Sequence, residues 1–388
     1  MKWRASVGTR VGLFLGAYFA ANAINTFLPL WFSDRGLSGA AIGQVLGIAA
    51  LLRVLAGPGW GILADYFGHR RPVLVAAAGT AALMALLYLP CEGYVPLLLV
   101  AAGQGIAASA VNPLVDSLAL ALAREARMEY GPVRSFGSIA YMVATAAAGW
   151  LLGAAGSWLV PWLLGASYGA AASIGPFLPE ARVPPATPRV WAGLALFRVP
   201  GFRLAVAGTA LIQGAHAAYY GFATLFWRSQ GYSDRTIGLL IAEGIVMEIL
   251  LFARGRRLIT RLGPAGLTAC AATASVVRWC TIAAAPPPGV LAMVQVLHAA
   301  TFAMQHLSAM IVLTRVVPPE RAATAQALHS ALGYGAPTGL MMLAAGALYA
   351  RSGGSAFLAM AAIAGTALAL VRPLARAVPT ASGPSGFA

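Results

Sequence analysis

The sequence predicts an all-α integral membrane protein with twelve transmembrane helices in two pseudo-symmetric six-helix halves. Three observations predict it: an apolar composition, long apolar stretches and an internal repeat. Of the 388 residues, 60% are hydrophobic and 10% are charged, whereas a soluble domain carries about 25% charged residues. Helices are favoured over a barrel because the apolar stretches are long and continuous rather than short and alternating.

Twelve stretches are long and apolar enough to cross a bilayer, which takes about 20 helical residues. Span 1 is too long for the core of a signal peptide, and no convincing cleavage site follows it. We name the stretches spans 1 to 12; they cover residues 8–32, 39–64, 72–90, 94–122, 132–154, 158–178, 202–228, 236–253, 264–285, 289–315, 322–349 and 355–371.

The basic residues behind the net charge of +15 are unevenly distributed, and their distribution indicates the membrane topology. With the N-terminus in the cytoplasm, nineteen Lys and Arg residues fall on the inner side and four on the outer side, namely Arg35, Arg228, Arg235 and Arg351. This positive-inside bias predicts two cytoplasmic termini in a membrane, which we expect to be a bacterial inner membrane. The expected partner of the basic residues is therefore the lipid bilayer, and nucleic acid is excluded.

The middle of the chain interrupts the apolar pattern. Residues 179–200 carry several prolines and arginines, which indicate a short cytoplasmic linker. The predicted organisation is an N-terminal six-helix half at 1–180, a linker at 181–200 and a C-terminal six-helix half at 201–388.

An internal repeat relates the two halves. At an offset of 195 residues, GLSGAAIG at 36–43 lies on GYSDRTIG at 231–238, and the register continues without a gap for more than thirty residues. The same offset places Arg53 opposite Glu248. Two intramembrane charges of opposite sign thus occupy equivalent positions on spans 2 and 8.

Ionisable residues are sparse in these spans and predict a transport pathway. A charge in hydrocarbon costs a few kcal/mol or more, so such residues mark the route of an ion or solute. Those within or at the ends of apolar stretches are Arg53, Asp116, Glu243, Glu248, Arg278, His298 and His306, with Arg134 at the start of span 5.

Spans 1, 4, 7 and 10 each carry one polar stripe, because residues three, four or seven apart share a helix face. Hydrogen bonding between helices explains one such stripe, but four on related spans predict a water-filled cavity. The stripes are Asn22, Asn25 and Thr26; Ser109, Asn112 and Asp116; Gln213, His216 and Tyr220; and Gln295, His298, Thr301 and Gln305.

The segment GILADYFGHRRP at 61–72 resembles the signature G-x-L-A-D-x-x-G-x-R-R of the major facilitator superfamily. That resemblance implies two parallel six-helix halves with a site near the midplane, and a breakable cytoplasmic latch. The implied gating residues are Gly61, Asp65, Gly68, Arg70 and Arg71. We expect Gly61 to allow close helix approach and Gly68 to make the turn. A basic loop that only sets topology is the alternative interpretation.

A narrower resemblance covers most of the chain. MEYGPVRSFGSIAYM at 128–142, VVRWC at 276–280 and QVLHAATFAMQHLSAM at 295–310 resemble the phenylpropionate permease branch of the superfamily. That branch is similar to the lactose permease and nucleoside–proton symporter group. The resemblance implies that Asp116 pairs with Arg134, and it assigns functional positions to Glu248, Arg278 and His298.

The lactose permease pattern is incomplete in this chain. Its lysine and glutamate positions in helix 10 hold Gln295 and Thr301. Sugar binding of that kind is therefore not expected.

Proton coupling is expected to use the carboxylates. A buried glutamate that exchanges an arginine partner for an apolar setting can bind and release a proton near neutral pH, whereas arginine stays protonated. We therefore expect the arginines to hold an anion, the proton carrier to be Glu248, Glu243 or Asp116, and histidine to relay the proton. Depth along the spans leaves open which glutamate faces Arg278.

No enzyme or cofactor is expected. The sequence has no nucleophile–base motif, no zinc spacing and no P-loop, and its three cysteines form no disulfide or metal pattern. The leading prediction is a monomeric secondary transporter that takes up a small organic solute, such as an aromatic carboxylate, with protons by alternating access. The alternatives are a nucleoside or oligosaccharide symporter, using Trp31, Trp60 or Trp279 for ring stacking, and a drug-efflux antiporter.

Overall fold

The computed structural model describes residues 6–180 and 193–378, apart from the side chains of Asp65, Pro319 and Ala323. Within those ranges every regular element is helical. The predicted linker falls largely on residues 181–192, which lie outside the described residues; its last part forms the 3₁₀ turn Ala195–Arg198.

The helices follow the twelve predicted spans, and most ends agree to within a few residues. The helix of span 9 begins at Arg256, eight residues before the predicted start, and that of span 12 ends at Ala377, six residues after the predicted end. Spans 1 to 6 contain Val7–Asn25 and Leu28–Asp34; Gly39–Phe67; Arg70–Leu87; Tyr94–Ser109 and Val111–Arg124; Tyr130–Ala155; and Leu159–Ile174. Spans 7 to 12 contain Pro200–Gly214 and Ala217–Ser229; Asp234–Arg254; Arg256–Ala283; Pro288–Gln295 and Gln305–Val316; Ala322–His329 and Ala336–Ser352; and Ser355–Thr366 and Val371–Ala377.

Ten helical stretches of the described ranges are long and apolar enough to cross a membrane by themselves. The two predicted spans that are not among them, spans 6 and 7, have shorter helices. The helix of span 6 has 16 residues and changes to the 3₁₀ turn Gly175–Phe177. Span 7 is broken after Gly214 into helices of 15 and 13 residues.

The spans with polar stripes are irregular near their middle. Spans 1, 4 and 7 are interrupted after Asn25, Ser109 and Gly214. In span 1 a proline follows the break, and proline removes a backbone donor. Span 10 passes through the π-helix Ala299–Met304, a distortion frequent at functional sites.

The chain packs as two compact units. The first unit contains the described residues of Met1–Thr187 with Tyr220–Ala242 and Met342–Gly353. The second unit contains those of Pro188–Tyr219, Glu243–Met341 and Gly354–Ala388. The boundaries of the two predicted six-helix halves remain a prediction.

In the first unit, two helix crossings are close enough to require glycine. A Cβ atom at Gly43 of span 2 would lie 2.6 Å from the Cα atom of Gly346 in span 11. A Cβ atom at Gly238 of span 8 would lie 2.9 Å from the Cα atom of Gly149 in span 5. Both distances are far below van der Waals contact, so a side chain at either position would separate the helices.

Near these crossings, a charged cluster joins the ends of four spans within the first unit. The Arg228 guanidinium donates to the Asp234 carboxylate at 3.0 and 2.7 Å, and to the Asp34 carboxylate at 3.2 and 3.0 Å. Ser157 donates a further hydrogen bond to Asp34. Two carboxylates therefore bind the guanidinium of Arg228, and such bidentate pairs are the strong ones.

The apolar core of the second unit gathers where spans 7, 10, 11 and 12 meet. It consists of Leu196, Phe202, Ala205, Val206, Ala309, Val312, Leu313, Val317, Ala325, Leu374 and Val378. Close packing there fixes the helices that carry the polar residues described below.

Candidate functional site

A cavity of about 280 Å³ lies within the first unit, at the break of span 1. Its walls are mainly apolar, with amide, phenol and guanidinium groups among them. The polar lining residues are Asn22, Asn25, Thr26, Arg53, Tyr88, Gln104, Tyr141, Tyr168 and Tyr220. Three predicted site residues, Asn25, Arg53 and Tyr220, therefore share one cavity.

Arg53 is the cation of this cavity. Its Nη2 atom donates to the Tyr18 hydroxyl at 3.1 Å. Within the part of the chain that the structure describes, no carboxylate forms an ion pair with it. A half-buried guanidinium among tyrosine rings is suited to bind an anion with an aromatic body, because arginine pairs with carboxylates in a planar fork.

Amide groups complete the lining. Gln104 accepts a hydrogen bond from the Tyr88 hydroxyl at 2.8 Å through Oε1. Its Nε2 atom is buried without an acceptor among the described residues. A buried donor without a partner costs about 1–3 kcal/mol. A solute oxygen that accepts a hydrogen bond from Nε2 would remove this cost.

The second unit holds a separate polar network around Arg278, whose side chain is fully buried. The guanidinium donates to His298 Nδ1 at 2.9 Å, to Thr301 Oγ1 at 3.1 Å and to Gln295 Oε1 at 2.9 Å. It also lies over the rings of Tyr219 and Trp279, at 4.4 and 4.7 Å. Spans 7, 9 and 10 thus meet at one buried cation.

These contacts fix the tautomer of His298. Arginine has no acceptor, so His298 Nδ1 must accept the bond from Arg278 and carries no proton. The ring is neutral with its proton on Nε2, which lies 3.6 Å from Glu248 Oε2. That distance is longer than a hydrogen bond. Glu248 therefore lies beside the imidazole ring that accepts from Arg278.

Glu243 is placed differently. None of the basic groups that the structure describes forms an ion pair with its carboxylate. The sequence leaves open which of the two glutamates faces Arg278. In the structure, Glu248 lies beside His298, which binds Arg278, and Glu243 does not.

A third polar group lies at spans 7, 10 and 11 of the second unit. His306 Nδ1 is 3.0 Å from the Tyr334 hydroxyl, and His329 Nε2 is 3.0 Å from Thr209 Oγ1. Gln305 donates to the same threonine at 3.2 Å. His306 and Gln305 therefore lie outside the Arg278 network and bind to neighbouring helices.

Asp116 and Arg134 face each other in the first unit, with Asp116 Oδ1 3.8 Å from Arg134 Nε. Arg134 also covers the Phe19 ring at 4.5 Å. Neither Asp116 nor Asn112 lines the cavity. The pair is loose and separate from the Arg53 cavity.

The predicted gating motif is partly as expected. Gly68 has φ +64°, the left-handed conformation that a turn glycine supplies. Arg70 donates to Ser117, and Arg71 lies 3.4 Å from a Glu180 carboxylate oxygen. The side chain of Asp65 lies outside the description.

The predicted role of Gly61 is wrong. A Cβ atom there would meet no described atom within 4 Å, so no helix approaches it closely. Its neighbour Ile62 is 60% exposed, in agreement with the open space beside Gly61.

Sequence reasoning missed the cavity residues Tyr88, Gln104, Tyr141 and Tyr168, and the Tyr18 hydroxyl that accepts from Arg53. Gln104 is a lone amide in the apolar run AAGQGIAAS, a signal that could have found it. Tyr88 lies near the end of span 3, where an interfacial role is the ordinary expectation for tyrosine. The predicted stacking residues Trp31, Trp60 and Trp279 do not line the cavity.

Comparison with known proteins agrees with the helix arrangement. The family model described as MFS_1 like family matches residues 9–359. The chain belongs to this family of the major facilitator superfamily. A probable 3-phenylpropionic acid transporter of Escherichia coli (strain K12) is 32% identical over 358 residues, 89% of this chain and 92% of that protein. A maltose permease of Geobacillus stearothermophilus is 30% identical over 342 residues, 86% and 85% of the two chains.

Solved structures of transporters share the family's fold. The nucleoside transporter NupG superposes with a TM-score of 0.79 at 17% identity, covering 96% of this chain and 99% of that one. A D-xylose–proton symporter gives a TM-score of 0.69 at 16% identity, covering 94% and 95%. The relatives and structural neighbours are transporters, so the chain is an integral membrane transporter of the twelve-helix fold and not an enzyme.

Proposed function

We propose that this transporter takes up a small aromatic carboxylate together with protons, by alternating access. One observation carries the proposal: Arg53 lies in a tyrosine-lined cavity and forms no ion pair with the carboxylates that the structure describes. The carboxylate of the solute would bind the Arg53 guanidinium, and the aromatic ring of the solute would pack among the tyrosine side chains. The 32% identity to a probable 3-phenylpropionic acid transporter supports this solute class.

Protons are assigned to the second unit. Glu248 is the proton carrier, and His298 stays neutral while its Nδ1 atom accepts from Arg278. If Arg278 moves away, Nδ1 is free to take a proton, and the imidazolium can then pair with Glu248. The Arg278–His298 hydrogen bond would thus decide whether the imidazole of His298 can also bind a proton or whether only Glu248 can.

The test is uptake of labelled 3-phenylpropionate into proteoliposomes under an inward proton gradient. We expect accumulation that a protonophore abolishes and that unlabelled benzoate-type acids inhibit. Accumulation that depends on sodium, or that persists with the protonophore, would reject proton coupling. Counterflow of the solute without accumulation would support the aromatic carboxylate as the solute but not proton coupling.

A neutral sugar or nucleoside is the second candidate, because amide groups also line the cavity and the maltose permease is 30% identical. Inhibition of uptake by maltose or uridine, but not by aromatic acids, would favour this candidate. A drug-efflux antiporter would instead export cationic dyes from vesicles loaded with them.

A further inference from the structure

The bend between spans 8 and 9 is strongly basic. Residues 249–262, ILLFARGRRLITRL, hold four arginines and no acidic residue, and the next carboxylate after Glu248 in the chain is Glu320. All four arginines are exposed: Arg254, Arg256, Arg257 and Arg261. The segment belongs to the second unit.

The backbone makes this segment a separate short helix. Gly263 has φ +60° and ψ −179°, so the helix that begins at Arg256 is bent before Pro264 and span 9 proper starts there. In the turn before the bend, Arg257 and Arg261 are four residues apart and share a face. Like charges at this spacing repel each other and destabilise a helix, and an anion between them would remove that repulsion.

The corresponding loop of the first half is built differently. At the offset of 195 residues, Ile62 and Tyr66 stand where Arg257 and Arg261 stand. The arginines of that first loop have protein partners, since Arg70 binds Ser117 and Arg71 binds Leu178 and Glu180. The guanidinium groups of Arg257 and Arg261 form no hydrogen bond or ion pair with any residue in the described ranges.

The surroundings of the arginines identify the kind of anion. Phe252 and Leu258 beside them are 46% and 44% exposed. A phosphodiester fits the guanidinium fork, and the acyl chains attached to it would cover the apolar side chains. A soluble phosphate would use only the charged half of this surface.

We infer that this basic bend, Arg254–Arg261, is a docking site for the headgroup of an anionic phospholipid. Arg257 and Arg261 bind the phosphodiester, while Phe252 and Leu258 contact the acyl chains. Juxtamembrane arginines attract anionic lipid. The site is independent of the solute and of proton coupling.

The experiment uses the full purified chain in detergent, titrated with phosphatidylglycerol or phosphatidylcholine and followed by native mass spectrometry. We expect preference for phosphatidylglycerol. R257Q/R261Q should weaken phosphatidylglycerol binding about tenfold and leave phosphatidylcholine binding unchanged. R257K/R261K, which retains the charge, should stay within about threefold of the unaltered chain.

The matched control is R372Q/R376Q. These two arginines have the same spacing, are exposed and lie at the end of span 12, but they lack the two further arginines of the bend. An equal loss in this control would overturn the site in favour of general surface charge. Equal binding of the two lipids by the unaltered chain would also overturn it, as would displacement of phosphatidylglycerol by millimolar inorganic phosphate. Unfolding temperatures of all variants verify that they are folded.

Discussion

Arg53 is the residue on which solute recognition depends most directly. Arg53→Gln removes the cation but keeps a shorter hydrogen-bonding side chain. Hydrogen bonds to charged groups contribute about 1.5–3 kcal/mol, so we expect the affinity for an aromatic carboxylate to fall about 10- to 100-fold. Competition by the matching aromatic amide should change little in the variant. Equal losses for acid and amide would contradict a carboxylate-binding role.

Glu248 and Glu243 give a second test, because only Glu248 lies beside His298. Glu248→Gln mimics the protonated carboxylate, so we expect solute exchange to persist while uphill accumulation is lost. Glu243→Gln is the matched control on the same span and should accumulate solute normally. Counterflow and gradient-driven uptake are measured on the same vesicles; the reverse pattern would assign the proton to Glu243.

Asp116 and Arg134 form the third residue-level test. Removing one member of a buried pair leaves an uncompensated charge at a cost of about 3–5 kcal/mol, although the 3.8 Å separation and partial exposure of this pair reduce that figure. Each single alanine variant should lose uptake. We expect Asp116→Ala with Arg134→Ala to insert normally yet remain inactive. Near-normal transport by the double variant would remove both residues from the site.

At the scale of elements, the two glycine crossings are expected to hold the first unit closed around its cavity. Gly43→Ala would place a methyl group 2.6 Å from the Gly346 backbone. We expect it to raise the labelling of Asn25→Cys by an impermeant maleimide added outside, in a background without the three native cysteines. Gly57→Ala, where the added methyl group meets open space, is the control and should leave labelling unchanged.

The sequence predicts the spans well and their irregularities poorly. Length and hydropathy place most helix ends within a few residues, because the bilayer thickness sets the length of an apolar span. The break after Gly214 and the π-helix Ala299–Met304 depend on packing between helices that are distant in the chain. The partners of Arg278 could not be predicted for the same reason. Depth along a span places Arg278 near a glutamate, but side-chain direction selects His298, Gln295 and Thr301 instead.

For the whole molecule, the arginine distribution predicts that both termini are cytoplasmic. A reporter that is active only in the cytoplasm should therefore be active when fused after Ala388, and an exported reporter should be inactive there. Fusion after Arg35, on the predicted outer side, is the control and should give the opposite result. Activity of the exported reporter at the C-terminus would show that the predicted orientation is wrong and that every loop lies on the opposite side.

The two glycine crossings can also be compared with the internal repeat, which bears on how the chain evolved. Gly43 and Gly238 are the same position in the two copies of the repeat, and each meets a glycine on a helix of the other copy. In a two-fold dimer of six-helix chains, one glycine crossing would occur twice, since symmetry repeats every contact. The partners Gly149 and Gly346 are 197 residues apart, two residues off the register of the repeat. Gene duplication and fusion of such an ancestor would leave two crossings encoded separately. Arg53 and Glu248, ten residues further along each copy, show that the copies have since diverged.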